Sequence, residues 1–336
     1  MYKAFFELDK APFSMTPNPE FLFLSAKHRE ALAGLLLAVA FKKGFLVLTG
    51  EAGTGKTTLL GRALQSRMSK DQRDFSLINN PTLSPSEFLE MAMIDFGIDD
   101  VPPNKPQRLL KLQKFLLEGH RAGRISVLVI DEAHKLTPEV LEEVRLLTNF
   151  ETPEQKLLQI LLVGQPELST LLNREDMRQL KQRVAIRLKI DPLESNEVEQ
   201  YMNFRWARAG GRMLPPFTPQ AISLICRASK GIPRVINAIC DSALTNAFGA
   251  DLKLIDAAQI LDVASDLQID LSADVNAAQS NGTAAKRNQT QPHTPVPAPA
   301  SAGAYEPVPM TFRSLERYMP KPAKTSKPWT LRSRTS

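Results

Sequence analysis

The chain has 336 residues, 43% of them hydrophobic, a formal net charge of +6 and two cysteines; this globular composition has length for one large domain or two smaller ones and excludes a disulfide framework. No run of about 18 apolar residues is present to cross a membrane, the longest candidate being "ALAGLLLAVAF" from Ala31 to Phe41, which ends at Lys42-Lys43. The charge is uneven: of 42 Lys and Arg and 36 Asp and Glu, nine and three fall in residues 271–336, so residues 1–270 carry 33 of each sign.

The N-terminus lacks the pattern of a secretory signal, so a cytoplasmic location is expected, with any membrane association made through a partner. "SMTPNPEFLFLSAKH" reads as a proline-rich entry into a helix capped by Ser25, with His28 structural. "GFLVLTG" (Gly44 to Gly50) is the first strand. It runs into "GEAGTGKT", followed by the helical "TTLLGRALQSRM". The spacing G-x-x-x-x-G-K-[ST] between strand and helix is a phosphate-binding loop. Its glycines let backbone N–H groups wrap phosphates, Lys56 reaches the β and γ oxygens, and the Thr57 hydroxyl ligates Mg²⁺. Gly50, Glu51, Ala52, Gly53, Thr54, Gly55, Lys56, Thr57 and Thr58 are therefore the expected nucleotide-binding residues.

"FSLIN" (Phe75 to Asn79) is the second strand. Ser84-Pro85-Ser86-Glu87 then opens a helix with an N-cap serine, a first-turn proline and a capping-box glutamate. "ISVLVID" (Ile125 to Asp131) is the third strand, and the acids after it stand at the carboxyl edge of the sheet. Asp131 is expected to hold Mg²⁺ and Glu132 to orient and polarise an attacking water. Thr137-Pro138 starts the next helix. "LLQILLVG" (Leu157 to Gly164) delivers Gln165 to the same edge, either to bond that water or a γ-phosphate oxygen or as a turn residue before Pro166.

"NREDMRQLKQRVAIRLKI" places Arg174, Arg178, Lys181, Arg183 and Arg187 before and within the fifth strand, "VAIRLKI" (Val184 to Ile190). Such a run is either a solvated face or the source of a guanidinium given in trans to a neighbour's γ-phosphate; Arg183, then Arg178, is favoured for that role. Strands joined by helices argue for a parallel sheet. After Pro192 strand signals stop, and "NEVEQYMNFRWARAGG", "TPQAISLICRASKG", "PRVINAICDSALTNAFGA" and "IDAAQILDVASDL" read as four helices. Cys226 and Cys240 lie in them without metal-ligand spacing. "KGIPRVIN" places Arg234 in the first turn of the third. The segment from Leu271 is Pro-, Ala- and Ser-rich and is expected to be disordered; its "MTFRSLERYM" island is either a docking peptide or solvated tail.

These residues together resemble the AAA+ ATPases of the ExeA (general secretion pathway protein A) type over roughly residues 1–265. The resemblance rests on "FFELDKAPFSMTPNPEFLFLSAKHREAL", "GEAGTGKTTLL", "VLVIDEAHKL", "LLQILLVGQPEL", "QRVAIRLKIDPL", "YMNFRWARAGG" and "FTPQAISLICRASKGIPRVINAICDSAL". It implies an α/β fold: a P-loop AAA+ five-stranded parallel sheet over residues 1–193, an all-helical lid over 194–266 and a tail over 267–336. It implies ATP and Mg²⁺ as ligands, Gln165 at the sensor 1 position, and Arg234 as the sensor 2 arginine reaching across the cleft. Pro17, Pro19 and Phe21 are implied to form a strap beside the adenine. The family's usual His and Leu are Asn203 and Trp206 here. Longer relatives continue into a transmembrane helix and a peptidoglycan-binding domain, which this sequence does not contain.

Three functions are compatible with these residues. The first, preferred, is an ATP-hydrolysing motor or switch that oligomerises with its own copies as a ring or filament and serves a secretion or envelope system through a membrane-anchored partner. The second is a DNA-associated ATPase regulating a transposase or recombinase, against which the neutral charge of residues 1–270 speaks. The third is a slow nucleotide-gated scaffold, against which an intact Glu132 argues.

Overall fold

The computed structural model describes residues 2–16, 18–64, 73–79 and 82–269. Pro17 and the tail from residue 270, with its "MTFRSLERYM" island, lie outside the described residues. In chain order the elements are α1 (Tyr2–Phe5), α2 (Ala26–Ala40), β1 (Phe45–Gly50), α3 (Lys56–Leu64), β2 (Arg73–Ile78), α4 (Pro85–Asp95), α5 (Lys105–Arg121) and β3 (Ile125–Ile130). They continue as α6 (Pro138–Leu147), β4 (Leu158–Gly164), α7 (Glu167–Leu172), α8 (Arg178–Lys181), β5 (Ile186–Ile190), α9 (Ser195–Arg208), α10 (Pro219–Ser229), α11 (Pro233–Gly249) and α12 (Ala257–Asp266). All five expected strands are present.

The strands form one parallel sheet in the order β2-β3-β4-β1-β5. Side chains alternate across a strand, and the sheet sorts its apolar residues accordingly. Phe45, Val47, Leu128, Ile130, Ile160 and Leu162 face α4 to α8, whereas Leu46, Leu48, Val127, Val129, Leu161 and Val163 face α2 and α3. Every residue of β1 and β4 is buried, as the continuous apolar runs require of strands covered on both faces. At the edge, β5 leaves Arg187 and Lys189 exposed, charges that discourage pairing with another strand.

The helix starts follow their capping signals. Ser84 and Glu87 form a reciprocal capping box, while Ser25, Thr137 and Thr218 each accept a backbone N–H three residues on. Helices α9 to α12 close around Val198, Met202, Ile225, Ile236, Ile239 and Leu244 in a core separate from the two beside the sheet.

The N-terminal segment differs from its sequence grouping with the sheet. Tyr2, Leu8, Phe13 and Phe21 are buried in the core of α9 to α12. The physical reason is a set of aromatics with no helical or strand period, which the helical layer accepts one by one. Phe6 packs edge-on to Trp206, and the N–H groups of Asp9 and Lys10 donate to the Ala209 carbonyl. Arg205 donates through Nε to the Pro12 carbonyl (2.6 Å) and lies 5.0 Å over the Phe21 ring. Trp206, one of the two departures from the family pattern, thus has a packing partner in the N-terminal segment.

Candidate functional site

Strands β3, β4 and β1 are neighbours and parallel, so the loops after their carboxyl ends meet at one edge of the sheet. The loop after β1 turns through Gly53 (φ +80°) and Gly55 (φ +95°), conformations that cost other residues strain. Gly50 has a steric reason as well: a Cβ there would stand 2.6 Å from the Ile190 carbonyl oxygen. The Thr54 hydroxyl donates to the Glu51 carbonyl at 2.8 Å, which closes the loop on itself.

Lys56 opens α3 and is 6% exposed. Its Nζ donates to the carbonyls of Gly50 (2.8 Å) and Glu51 (2.9 Å), so the ammonium stands at the mouth of the loop. Burial holds this lysine below its usual range, and the carboxylates of Glu132, Asp131 and Glu51 oppose that shift. Thr57 Oγ1 donates to Asp131 Oδ2 at 2.9 Å, bringing two hard oxygen ligands together at the loop. Such a pair suits Mg²⁺. Glu51, Ala52 and Thr57 are exposed and Thr58 is half-buried. The loop therefore combines a positive charge, wrapped backbone and an oxygen pair, and the residues fit a magnesium-bound phosphate ester.

Beyond β3, Asp131 is buried and its Oδ1 accepts the Glu132 N–H at 2.9 Å. Glu132 adopts left-handed backbone (φ 53°), which costs a non-glycine residue about 1–3 kcal/mol and collects at functional sites. Gln165 follows β4, between these acids and the loop in strand order. His134, to which the sequence assigned no role, meets both: its Nε2 is 3.5 Å from Glu132 Oε2 and 3.2 Å from Gln165 Nε2.

His28 is the second histidine at the site. Its Nε2–H donates to the Thr54 carbonyl at 2.9 Å while Nδ1 accepts from Ser25 Oγ at 2.8 Å, so the helix cap of α2 is tied to the phosphate loop. Burial lowers its pKa, partly opposed by the Thr54 carbonyl. The folded-state value lies below the ordinary histidine value of about 6.5. The stability contributed by His28 is thus present above about pH 6.5 and lost as pH falls through the lower folded value. His28→Ala should cost about 1–3 kcal/mol in urea unfolding at pH 7.5. The gap from the parent should narrow on acidification; a gap independent of pH would assign the acid sensitivity elsewhere.

Arg234 sits in the first turn of α11, whose N-cap is Ile232. Its backbone N–H donates to the Gly53 carbonyl at 3.2 Å, and a Cβ on Gly53 would stand 2.6 Å from Arg234 Cβ. The helical layer therefore touches the phosphate loop itself, and the Arg234 side chain is exposed at that contact. Pro19 and Phe21 occupy a 3-10 turn beside α3 and α9, with Pro19 near Gly61. Lys10, Ser14, Thr16, Asn18 and Arg205 join them around an open cavity of about 370 Å³.

The basic run before β5 is not gathered at this edge. Arg183 lies ahead of β5, which is parallel to β1, and so stands at the opposite end of the sheet from its own phosphate loop. Its Nη1 donates to Thr148 Oγ1 at 2.7 Å. Arg174 pairs with Asp176 (2.7 Å), and Arg178, Lys181 and Arg187 are exposed.

A family model described as an AAA domain matches residues 39–172. The chain carries an AAA domain. General secretion pathway protein A of Aeromonas hydrophila is 43% identical over 253 residues, covering 74% of this chain and 45% of that protein. The chain thus spans less than half the length of that relative. Among solved structures, Cdc6p of Pyrobaculum aerophilum superposes with a TM-score of 0.60 at 16% identity, covering 80% of this chain and 73% of that one. The Aeropyrum pernix ORC2 protein, in ADPNP-ADP complexes, gives 0.56 at 17% identity over 76% and 71%. At these identities the likeness concerns the fold. The AAA domain match takes in the loop, both acids and Gln165; Arg183 and Arg234 lie beyond it but within the P-loop AAA+ fold.

Proposed function

We propose that this chain is an ATP-hydrolysing AAA+ motor or switch that assembles with copies of itself and serves a secretion or envelope system through a membrane-anchored partner. The observation that carries the hydrolytic part is the meeting of Lys56, the Thr57–Asp131 pair, Glu132 and Gln165 on three adjacent strand ends. The pathway rests on the 43% identity to General secretion pathway protein A. No helix among the described residues is long and apolar enough to cross a membrane.

In this reading Gly53, Gly55 and the first turn of α3 present N–H groups to the phosphates, and Lys56 neutralises their outer oxygens. Thr57 and Asp131 hold Mg²⁺, which when bound withdraws charge from the phosphates. Glu132 orients water for in-line attack, Gln165 donates to that water or to the terminal phosphate, and Arg234 approaches from the helical layer. Pro19 and Phe21 flank the base. Arg183, at the far end of the sheet from its own loop, acts on a neighbouring subunit, with Arg178 as the exposed alternative.

The test is ATP turnover against protein concentration, with and without double-stranded DNA. A specific rate that climbs with concentration and ignores DNA supports the reading, whereas stimulation by DNA would put the recombinase-regulating class first. A shared active site makes a sharper demand. Arg183→Ala and Lys56→Ala, each inactive alone, should regain activity when mixed, because one intact interface forms between them. An arginine acting within its own subunit gives no such recovery.

A further inference from the structure

His134 belongs to the 3-10 turn Ala133–Lys135 that follows Glu132, and its side chain is 12% exposed. Two features mark that turn, which lies against the end of β4. Gly164 has no Cβ; one built there would stand 3.2 Å from the His134 backbone nitrogen and 3.2 Å from Leu168 Cβ, so a side chain would push the turn away. Glu132, in left-handed backbone, precedes the turn, and His134 meets both Glu132 and Gln165.

Hydrogen-bond chemistry at this contact has one consistent assignment. The Gln165 backbone N–H donates to His134 Nδ1 at 3.4 Å, so Nδ1 is an acceptor and the neutral ring carries its proton on Nε2. An Nε2–H cannot pair with an amide NH2. Gln165 Nε2 stands 3.2 Å from this ring nitrogen, a donor facing a donor; a half-turn of the amide exchanges its oxygen and nitrogen, and the satisfied arrangement has the Gln165 carbonyl oxygen toward Nε2 and the NH2 group on the far side. The same Nε2 lies 3.5 Å from Glu132 Oε2, and Lys135 Nζ is 3.9 Å from that oxygen.

We propose that His134 is a positioning residue that holds the Glu132 carboxylate and the Gln165 amide in one hydrogen-bonded set, with the Gln165 NH2 directed into the nucleotide cleft. This rests on the roles given above to Glu132 and Gln165. A glutamine amide has two faces that differ only in hydrogen bonding, and a free one would spend half its time with the acceptor toward the phosphate. His134 removes that ambiguity, and ties the group that orients water to the group that reads the terminal phosphate.

The test compares His134→Ala, His134→Phe, His134→Gln, Gln165→Ala and the double variant His134→Ala/Gln165→Ala in the full chain, measuring kcat, KM and the Kd for ATP. His134→Phe keeps the ring's shape without its nitrogens, and His134→Gln returns an amide near the place of Nε2. The expected result is a fall in kcat of about 10- to 100-fold for Ala and Phe with Kd unchanged. His134→Gln should recover most of it, and the double variant should be no slower than Gln165→Ala, since the two act as a unit. Wild-type kcat in His134→Phe, equal losses in kcat and ATP affinity, a His134→Gln as slow as Phe, or additive losses in the double variant would each overturn the proposal. Glu132→Gln run alongside separates the causes: if it is inactive while His134→Phe is normal, only the positioning role fails. If Glu132→Gln turns over normally, the reading of the site fails and takes this inference with it.

Discussion

Replacing Lys56 with methionine is expected to weaken ATP binding by about 30-fold or more while leaving the ligand-free protein as stable as the parent or more so. The two effects separate because of where the ammonium sits. Lys56 is buried, and that burial lowers its pKa, so keeping it charged at neutral pH costs folding free energy. The sign is that of a base with a depressed pKa: stability rises as pH climbs through the folded value, and a neutral side chain of similar length removes the cost at every pH. The carbonyls of Gly50, which is buried, and of Glu51, which is exposed, offset part of that cost. Removing one partner of a desolvated charge pair costs about 2–5 kcal/mol in binding, roughly 30- to 5,000-fold in Kd. Thermal unfolding with and without ATP checks both halves at once. The parent should gain about 2.7 kcal/mol at an ATP concentration of 100 times its Kd, and Lys56→Met about 0.9 kcal/mol or less. A variant stabilised by ATP as much as the parent would remove Lys56 from the phosphate site.

Glu132→Gln should lower kcat by about 10²- to 10⁴-fold with the Kd for ATP unchanged. The amide has the shape of the carboxylate and can still meet His134, but it has no negative charge with which to polarise water. Asp131, not Glu132, pairs with Thr57, so the proposed metal-holding pair is left intact. The expected product is an ATP-loaded, non-cycling protein, and size-exclusion chromatography with ATP should show its assembled form persisting after the parent has disassembled. Turnover at the parental rate would take the water-orienting role away from Glu132.

Much of this was legible in the residues. β1 and β4 announced themselves as unbroken apolar runs because both of their faces are covered, and β3 did so with two acids at its end. The start of β2 was hidden: Arg73 and Asp74 begin the strand, and Asp74 is polar because it accepts from Arg124 Nε at 2.9 Å. Strand order was not written in any periodicity, and with it went the knowledge that the ends of β3 and β4 are adjacent. That adjacency is what makes His134 a neighbour of Gln165, 31 positions away, and no local pattern encodes it. The N-terminal aromatics misled for the opposite reason. They precede β1 in sequence, yet they complete a core whose helices begin at Ser195.

That last arrangement has a mechanical consequence. The chain passes between the helical layer and the sheet twice: once where Phe21 leaves the helical core and Ser25 caps α2, and again where Ile190 ends β5 and the Leu193 N–H donates to the Gly231 carbonyl. A body hung from one pivot can swing and twist in three ways; hung from two, it keeps one rotation, about the line through them. Two crossings are thus expected to favour rotation of the helical layer about the line through them, and a pair of fluorophores placed across the phosphate loop would test that expectation.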